Sequence, residues 1–186
     1  MQWEVTIAEL LSARGYATAH YGKWHLGDSE GRLPNDQGFD EWYGIANSSD
    51  ESWWAQDKDF DPKAAHLAYV MEGRKGEKSR KLKVYNEQAR RDIDTEVTER
   101  TIDFMQRNAK AGKPFFAYVP LTQPHMPTLV SKAFDGKTGN GAFADMLAEM
   151  DHNAGRMLDA IKALKIEDNT IVIFTSDNGP EELMPW

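Results

Sequence analysis

Between residues 143 and 164 the apolar positions step by three and four along the chain. They are Phe143, Met146, Leu147, Met150, Ala154, Met157, Leu158, Ile161 and Leu164. That spacing is one face of an α-helix. A second helix is predicted from "TIAELLSARG", where Thr6 and Glu9 stand at capping-box spacing, Ile7, Leu10 and Leu11 share a face, and Gly15 ends the turn. A third starts at Asp94, which reads as an N-cap; Val97, Thr101, Phe104 and Met105 form its face, and Gly112 with Pro114 closes it.

Three shorter runs have strand length and no helical step: "YATAHYGKW", "PFFAYVPL" and "TIVIFTSD", the last preceded by a turn at Asp168 and Asn169. From Gly27 to about Arg91 the pattern dissolves into Gly, Asp, Asn, Ser and aromatics, an irregular excursion. Strands apolar on both faces, alternating with amphipathic helices, predict an α/β fold with a parallel sheet covered by helices. There is no internal repeat and no low-complexity linker, so residues 1–186 read as one layered domain.

Composition narrows the function. Hydrophobic residues make up 40% and charged residues 28% of the 186, as expected for a globular chain. A net charge of -8 argues against a nucleic-acid partner, because phosphate needs a basic footprint. The run Arg74–Arg91 is locally basic, and a solvated loop or hairpin is expected there. No cysteine is present, which removes disulfides, thiolate nucleophiles and Cys-ligated zinc. No apolar run is long enough for a membrane span, and "MQWEVTIAELL" lacks the basic start and cleavage site of a signal peptide.

Chemistry-bearing residues collect where the predicted strands end. The first strand runs into Lys23 and His25, the second into His125 of "TQPHMP", the third into Asp177 and Asn178 of "SDNGP". In open parallel sheets ligands bind beyond the carboxyl ends of strands. A lysine with two histidines can hold and stabilise oxyanion charge, and a histidine exchanges protons near neutral pH. Aspartate and asparagine oxygens suit Ca2+ or Mg2+. Each residue alone has an ordinary structural reading, and the group together is what points to a tetrahedral oxyanion ester. Trp42, Tyr43, Trp53 and Trp54 are given no role.

The segments "TIAELLSARGYATAHYGKWHLGD", "LPNDQGFDEWYG", "KPFFAYVPLTQPHMP" and "TIVIFTSDNGPEE", in this order, resemble the sulfatase (arylsulfatase-like) family of the alkaline-phosphatase-like superfamily. The resemblance implies a layered α/β fold with a mostly parallel sheet. It implies that Lys23 binds a sulfate oxygen, that His25 hydrogen-bonds a formylglycine nucleophile, and that His125 contacts sulfate and assists the leaving group. Asp177 and Asn178 would be two ligands of Ca2+ (or Mg2+). The implied reaction is hydrolysis of a small-molecule or glycan sulfate ester through a covalent sulfo-enzyme intermediate, with no nucleic-acid or membrane partner. Family members of full length are expected in periplasmic, secreted or lysosomal compartments. The alternatives are a phosphoesterase or phosphonate hydrolase of the same superfamily, or a non-catalytic anion- or glycan-binding homologue.

Two parts of the family pattern are not found. No C/S-x-P-S-R sequence, the source of formylglycine, occurs, and there is no Asp-Asp dipeptide to complete a metal site. The expectation is therefore a sulfatase catalytic domain truncated at both ends, without its N-terminal nucleophile segment and C-terminal subdomain. A covalent route needs its nucleophile. The 186-residue chain is accordingly expected to leave an aryl sulfate unhydrolysed. Release of the phenol above background by the purified chain, measured spectrophotometrically, would contradict this.

Overall fold

A computed structural model of the chain describes residues 4–53 and 55–179. Two helices and five strands carry the frame: α1 (Ile7–Ser12), β1 (Ala17–Lys23), β2 (Glu41–Ile45), β3 (Tyr69–Arg74), β4 (Arg80–Val84), α2 (Glu87–Lys110) and β5 (Phe115–Tyr118), with a third helix, α3 (Ala142–Ala163), behind them. The strands form one sheet in the order β4-β3-β2-β1-β5. β1 is parallel to both β2 and β5, whereas β2–β3 and β3–β4 are antiparallel. The sheet is therefore mixed, α/β in class, with Lys23 at the carboxyl end of its parallel half.

Side-chain alternation along β1 explains how both faces are covered. Ala17, Ala19 and Tyr21 join Tyr43, Ile45 and Val70 under the α2 residues Ala89, Ile93, Val97 and Phe104. The other face carries Thr18 and His20, both fully buried. The His20 ring stands among Trp24, Phe39, Trp42 and Tyr118 at centroid distances of 5.2 to 6.3 Å. Burial pushes its pKa down to about 3, so it stays neutral and belongs to the core.

The 27–91 excursion is more regular than its composition suggests, because it contains β2, β3 and β4. Trp42 and Tyr43, mixed with polar neighbours in sequence, are buried strand residues. Residues 74–84 of the basic run form the β3–β4 hairpin, as expected, whereas residues 87–91 begin α2 and Arg90 there is buried. The hairpin's cations face carboxylates: Arg74 meets Glu41, Lys75 Asp40, Lys78 Glu30, Arg80 Glu72 and Lys83 Glu96.

Four further expectations need correction. α2 begins two turns before Asp94, because Asn86 caps it by accepting from the Ala89 amide at 3.0 Å. α1 has the expected Thr6–Glu9 capping box, yet Ile7 and Leu10 are exposed and Ala8 is the buried residue. Ala8 packs with Trp24 and Phe39, and α1 runs against Gly38, whose missing Cβ would sit 2.4 Å from the Glu9 nitrogen. On α3 the buried set is Asp145, Met146, Glu149, Asn153 and Ile161, with Leu147 and Leu158 exposed. Its polar face is turned inward because Asp145 and Glu149 accept from loop amides of Gly136, Thr138 and Ser131.

"TIVIFTSD" is not a strand: residues 170–177 carry no ladder bonds, and Ile171 is 91% exposed. A strand exists only beside a partner that takes its backbone hydrogen bonds, and among the described residues none is paired with it.

Backbones approach closely at the carboxyl end of the parallel half. A Cβ on Gly22 would lie 1.9 Å from the Pro120 carbonyl oxygen, and one on Gly44 would lie 1.8 Å from that of Gly22. Both glycines have positive φ, 133° and 153°. Gly22→Ala should therefore cost about 3–5 kcal/mol, strain and overpacking combined. Urea unfolding measures this; a loss below about 1 kcal/mol would show that the approach is not required.

Candidate active site

Lys23 is the last residue of β1, and its amide donates to the Pro120 carbonyl at 2.9 Å. Trp24 and His25 continue outward, their amides donating to Ile45 and Ala46 carbonyls, each at 2.9 Å. Residues 23–25 are thus gripped by the segment after β5 on one side and the segment after β2 on the other. Trp24 is buried, with its indole N–H on the Arg32 carbonyl at 2.8 Å, so it anchors the turn. Lys23 is half-buried and His25 exposed. His25 has φ 53°, a left-handed conformation uncommon outside glycine and concentrated at functional sites.

β2 delivers Asn47 and Ser48 to the same end. The Asn47 side-chain amide donates to Asp28 at 3.1 Å, joining this segment to the one that follows His25. Ser48 Oγ lies 3.5 Å from Nε2 of His125. Glu51, close by, has its carboxyl pKa raised by burial, with the Ser48 amide opposing and Asp50 and Asp28 adding to the rise.

His125 occupies a segment with no helix or strand, between cis bonds at Gln123–Pro124 and Met126–Pro127. Its Nδ1 is 2.8 Å from the Met126 carbonyl. A carbonyl only accepts, so in the neutral ring the proton sits on Nδ1 and the Nε2 lone pair faces the Ser48 hydroxyl, 3.5 Å away. Beneath this segment Asp94 and Arg90 of α2 are both buried, 3.5 Å apart. Asp94 accepts from the Thr122 amide at 2.7 Å and from its hydroxyl at 2.6 Å. Burial raises the Asp94 carboxyl pKa, while Arg90 and the Thr122 donors pull it back.

The structure brings the Lys23, His25 and His125 segments to one end of the sheet. It leaves Asp177 and Asn178 in the exposed stretch after α3, where the Ser176 hydroxyl donates to the Asn178 carbonyl and the Asn178 amide to that of Gly179, each at 2.7 Å. Two adjacent exposed oxygen donors fall short of the about six to eight that Ca2+ takes. As they stand they do not fit a metal. A cavity of about 530 Å³ lies between Tyr43, the β4 residues Leu82 and Lys83, and α2, away from Lys23 and His125. The sequence singles out neither Ser48, Thr122 nor Arg90, and Asp94 reads in it as an N-cap. The i,i+4 spacing of Arg90 and Asp94 was the available signal, hidden because a carboxylate near a helical pattern reads as a cap.

The family model for Sulfatase matches residues 1–182. N-acetylgalactosamine-6-sulfatase of Canis lupus familiaris is 31% identical over 176 residues, covering 95% of this chain and 33% of its own length. Arylsulfatase A of Homo sapiens is 34% identical, covering 97% of this chain and 36% of its own. The chain spans about a third of the length of these curated relatives. Among solved structures, the PsFucS1 sulfatase from Pseudoalteromonas sp. superposes with a TM-score of 0.79 at 25% identity, over 87% of this chain and 35% of its own.

The Arg90–Asp94 pair predicts a stability contrast. Asp94→Ala strands a buried guanidinium and two Thr122 donors, and should cost about 3–5 kcal/mol. Arg80→Ala breaks a surface pair with Glu72 and should cost about 1 kcal/mol or less. Equal losses in denaturant titrations would contradict the reading of Asp94 as buried and paired.

Proposed function

The chain belongs to the sulfatase family, and from that premise we propose that Lys23, His25 and His125 hold the sulfate group of an ester during its hydrolysis. The support is the way backbone hydrogen bonds tie the three segments together: Lys23 to Pro120 and His25 to Ala46, with Ser48 beside His125.

Each residue has a role its chemistry allows. The Lys23 ammonium neutralises charge on a sulfate oxygen. His25, exposed beside it, offers a ring nitrogen to the attacking group. His125 keeps Nδ1–H on the Met126 carbonyl, so proton exchange with the leaving oxygen takes place at Nε2. In the family a formylglycine supplies the nucleophile and a divalent cation polarises the sulfate. Asp177 and Asn178 are not proposed as Ca2+ ligands in this arrangement, because two exposed oxygens fall short of the ion's needs. A sulfated glycan or small aryl ester as substrate, and a periplasmic, secreted or lysosomal setting, are proposals. Among the described residues no helix is long and apolar enough to cross a membrane.

Binding can be tested without turnover. With the imidazoles isotopically labelled, sulfate should shift the His25 and His125 resonances together with a single dissociation constant. Lys23→Ala should weaken that binding about tenfold or more, as loss of one charge-assisted contact of about 1.5–3 kcal/mol implies. Tighter response to phosphate than to sulfate would favour a phosphoesterase. Resonances that ignore both anions would refute the site.

A further inference from the structure

We infer that Arg90 and Asp94 are positioning residues for His125, acting through Thr122. The inference rests on the reading of His125 as part of the anion site. The segment 121–127 has no helix or strand; the His125 amide turns back to the Thr122 carbonyl at 3.2 Å, and other groups of the segment take partners outside it. α2 supplies them in a specific pattern. Both Asp94 oxygens take Thr122, one the amide and the other the hydroxyl, at 2.7 and 2.6 Å. The Arg90 guanidinium spans the turn, donating through Nη1 to the Thr122 hydroxyl and through Nη2 to the His125 carbonyl, each at 2.9 Å. From α3, Glu149 receives the Gln123 side-chain amide at 2.8 Å. Residues 122, 123 and 125 are thus clamped from two helices.

The ion pair is fully enclosed, with Arg90 at 0% and Asp94 at 2% side-chain exposure. Enclosed ion pairs are often no more stabilising than apolar packing of the same volume. Stability alone therefore accounts poorly for a charged pair placed under an irregular turn, whereas placement of the turn accounts for it directly. Met126, whose carbonyl fixes the proton on Nδ1, is the next residue after the carbonyl that Arg90 holds. Releasing the clamp frees the peptide that selects the tautomer.

Two-bond nitrogen–proton spectra of the labelled imidazoles, taken with no anion present, test this in the 186-residue chain. The native chain should show His125 as a single Nδ1–H tautomer. Asp94→Asn should convert it to a mixture, with the core His20 signals unmoved as evidence of an intact fold. Should Asp94→Asn fail to fold, Thr122→Val removes the bridging hydroxyl at constant shape and carries the same expectation, with Thr122→Ser restoring the single tautomer. A folded variant lacking the carboxylate or the hydroxyl, yet keeping the native His125 tautomer, overturns the inference, as does a mixed tautomer in the native chain. Because no sulfate is involved, a His125 that ignores sulfate but loses its tautomer in Asp94→Asn would sink the proposed function and leave the positioning role standing.

Discussion

Three backbones come closer together at one end of this sheet than side chains would allow. Gly22 sits where a Cβ would penetrate the Pro120 carbonyl, and Gly44 where one would penetrate Gly22. Closeness here has a chemical consequence. The next residue after Gly22 is Lys23, the segment after Gly44 leads to Ser48, and the segment after Pro120 leads to His125. Spreading the strand ends by even a side chain's width would draw the lysine and the two histidine-bearing segments apart. The glycines are therefore the condition under which Lys23 and the segments that carry Ser48 and His125 can be neighbours.

A second constraint operates one layer below. The turn carrying His125 leaves the sheet after β5 and has no ladder to satisfy its amides. α2 accepts the Thr122 amide on the Asp94 carboxylate and donates to the His125 carbonyl from the Arg90 guanidinium, both groups taken out of water, while Glu149 of α3 accepts from the Gln123 side chain. The helix faces turned toward this end of the fold are consequently polar where pattern alone would make them apolar. The two constraints divide the labour: glycines bring the segments together, and buried charges hold one of them in a defined conformation.

Legibility in the sequence followed the range of the forces involved. The Thr6–Glu9 box, β1 and β5, and the extents of α1 and α3 depend on neighbours within a few residues, and they were readable. The family resemblance was readable too, as was Lys23 at the end of β1; Asp177 and Asn178, expected beside it, lie instead in the exposed stretch after α3. β2, β3 and β4 are not legible, because Trp42 and Tyr43 are adjacent and enter different clusters on opposite faces of β2, and β4 is mostly lysine and arginine. Asp94 reads locally as a cap, since a carboxylate near a helix start is favourable, whereas its partner is Thr122, 28 residues away. "TIVIFTSD" has every local mark of a strand, yet a strand's existence depends on an edge elsewhere in space.

The central claim is that an oxyanion settles between the Lys23, His25 and His125 segments. Selenate, a sulfate mimic with strong anomalous scattering, makes the claim directly visible in crystals of the chain. The account expects an anomalous peak within hydrogen-bond reach of Lys23 Nζ and His125 Nε2, lost in crystals of Lys23→Ala. Selenate bound elsewhere, with Lys23 and His125 too far apart to share one anion, would contradict it.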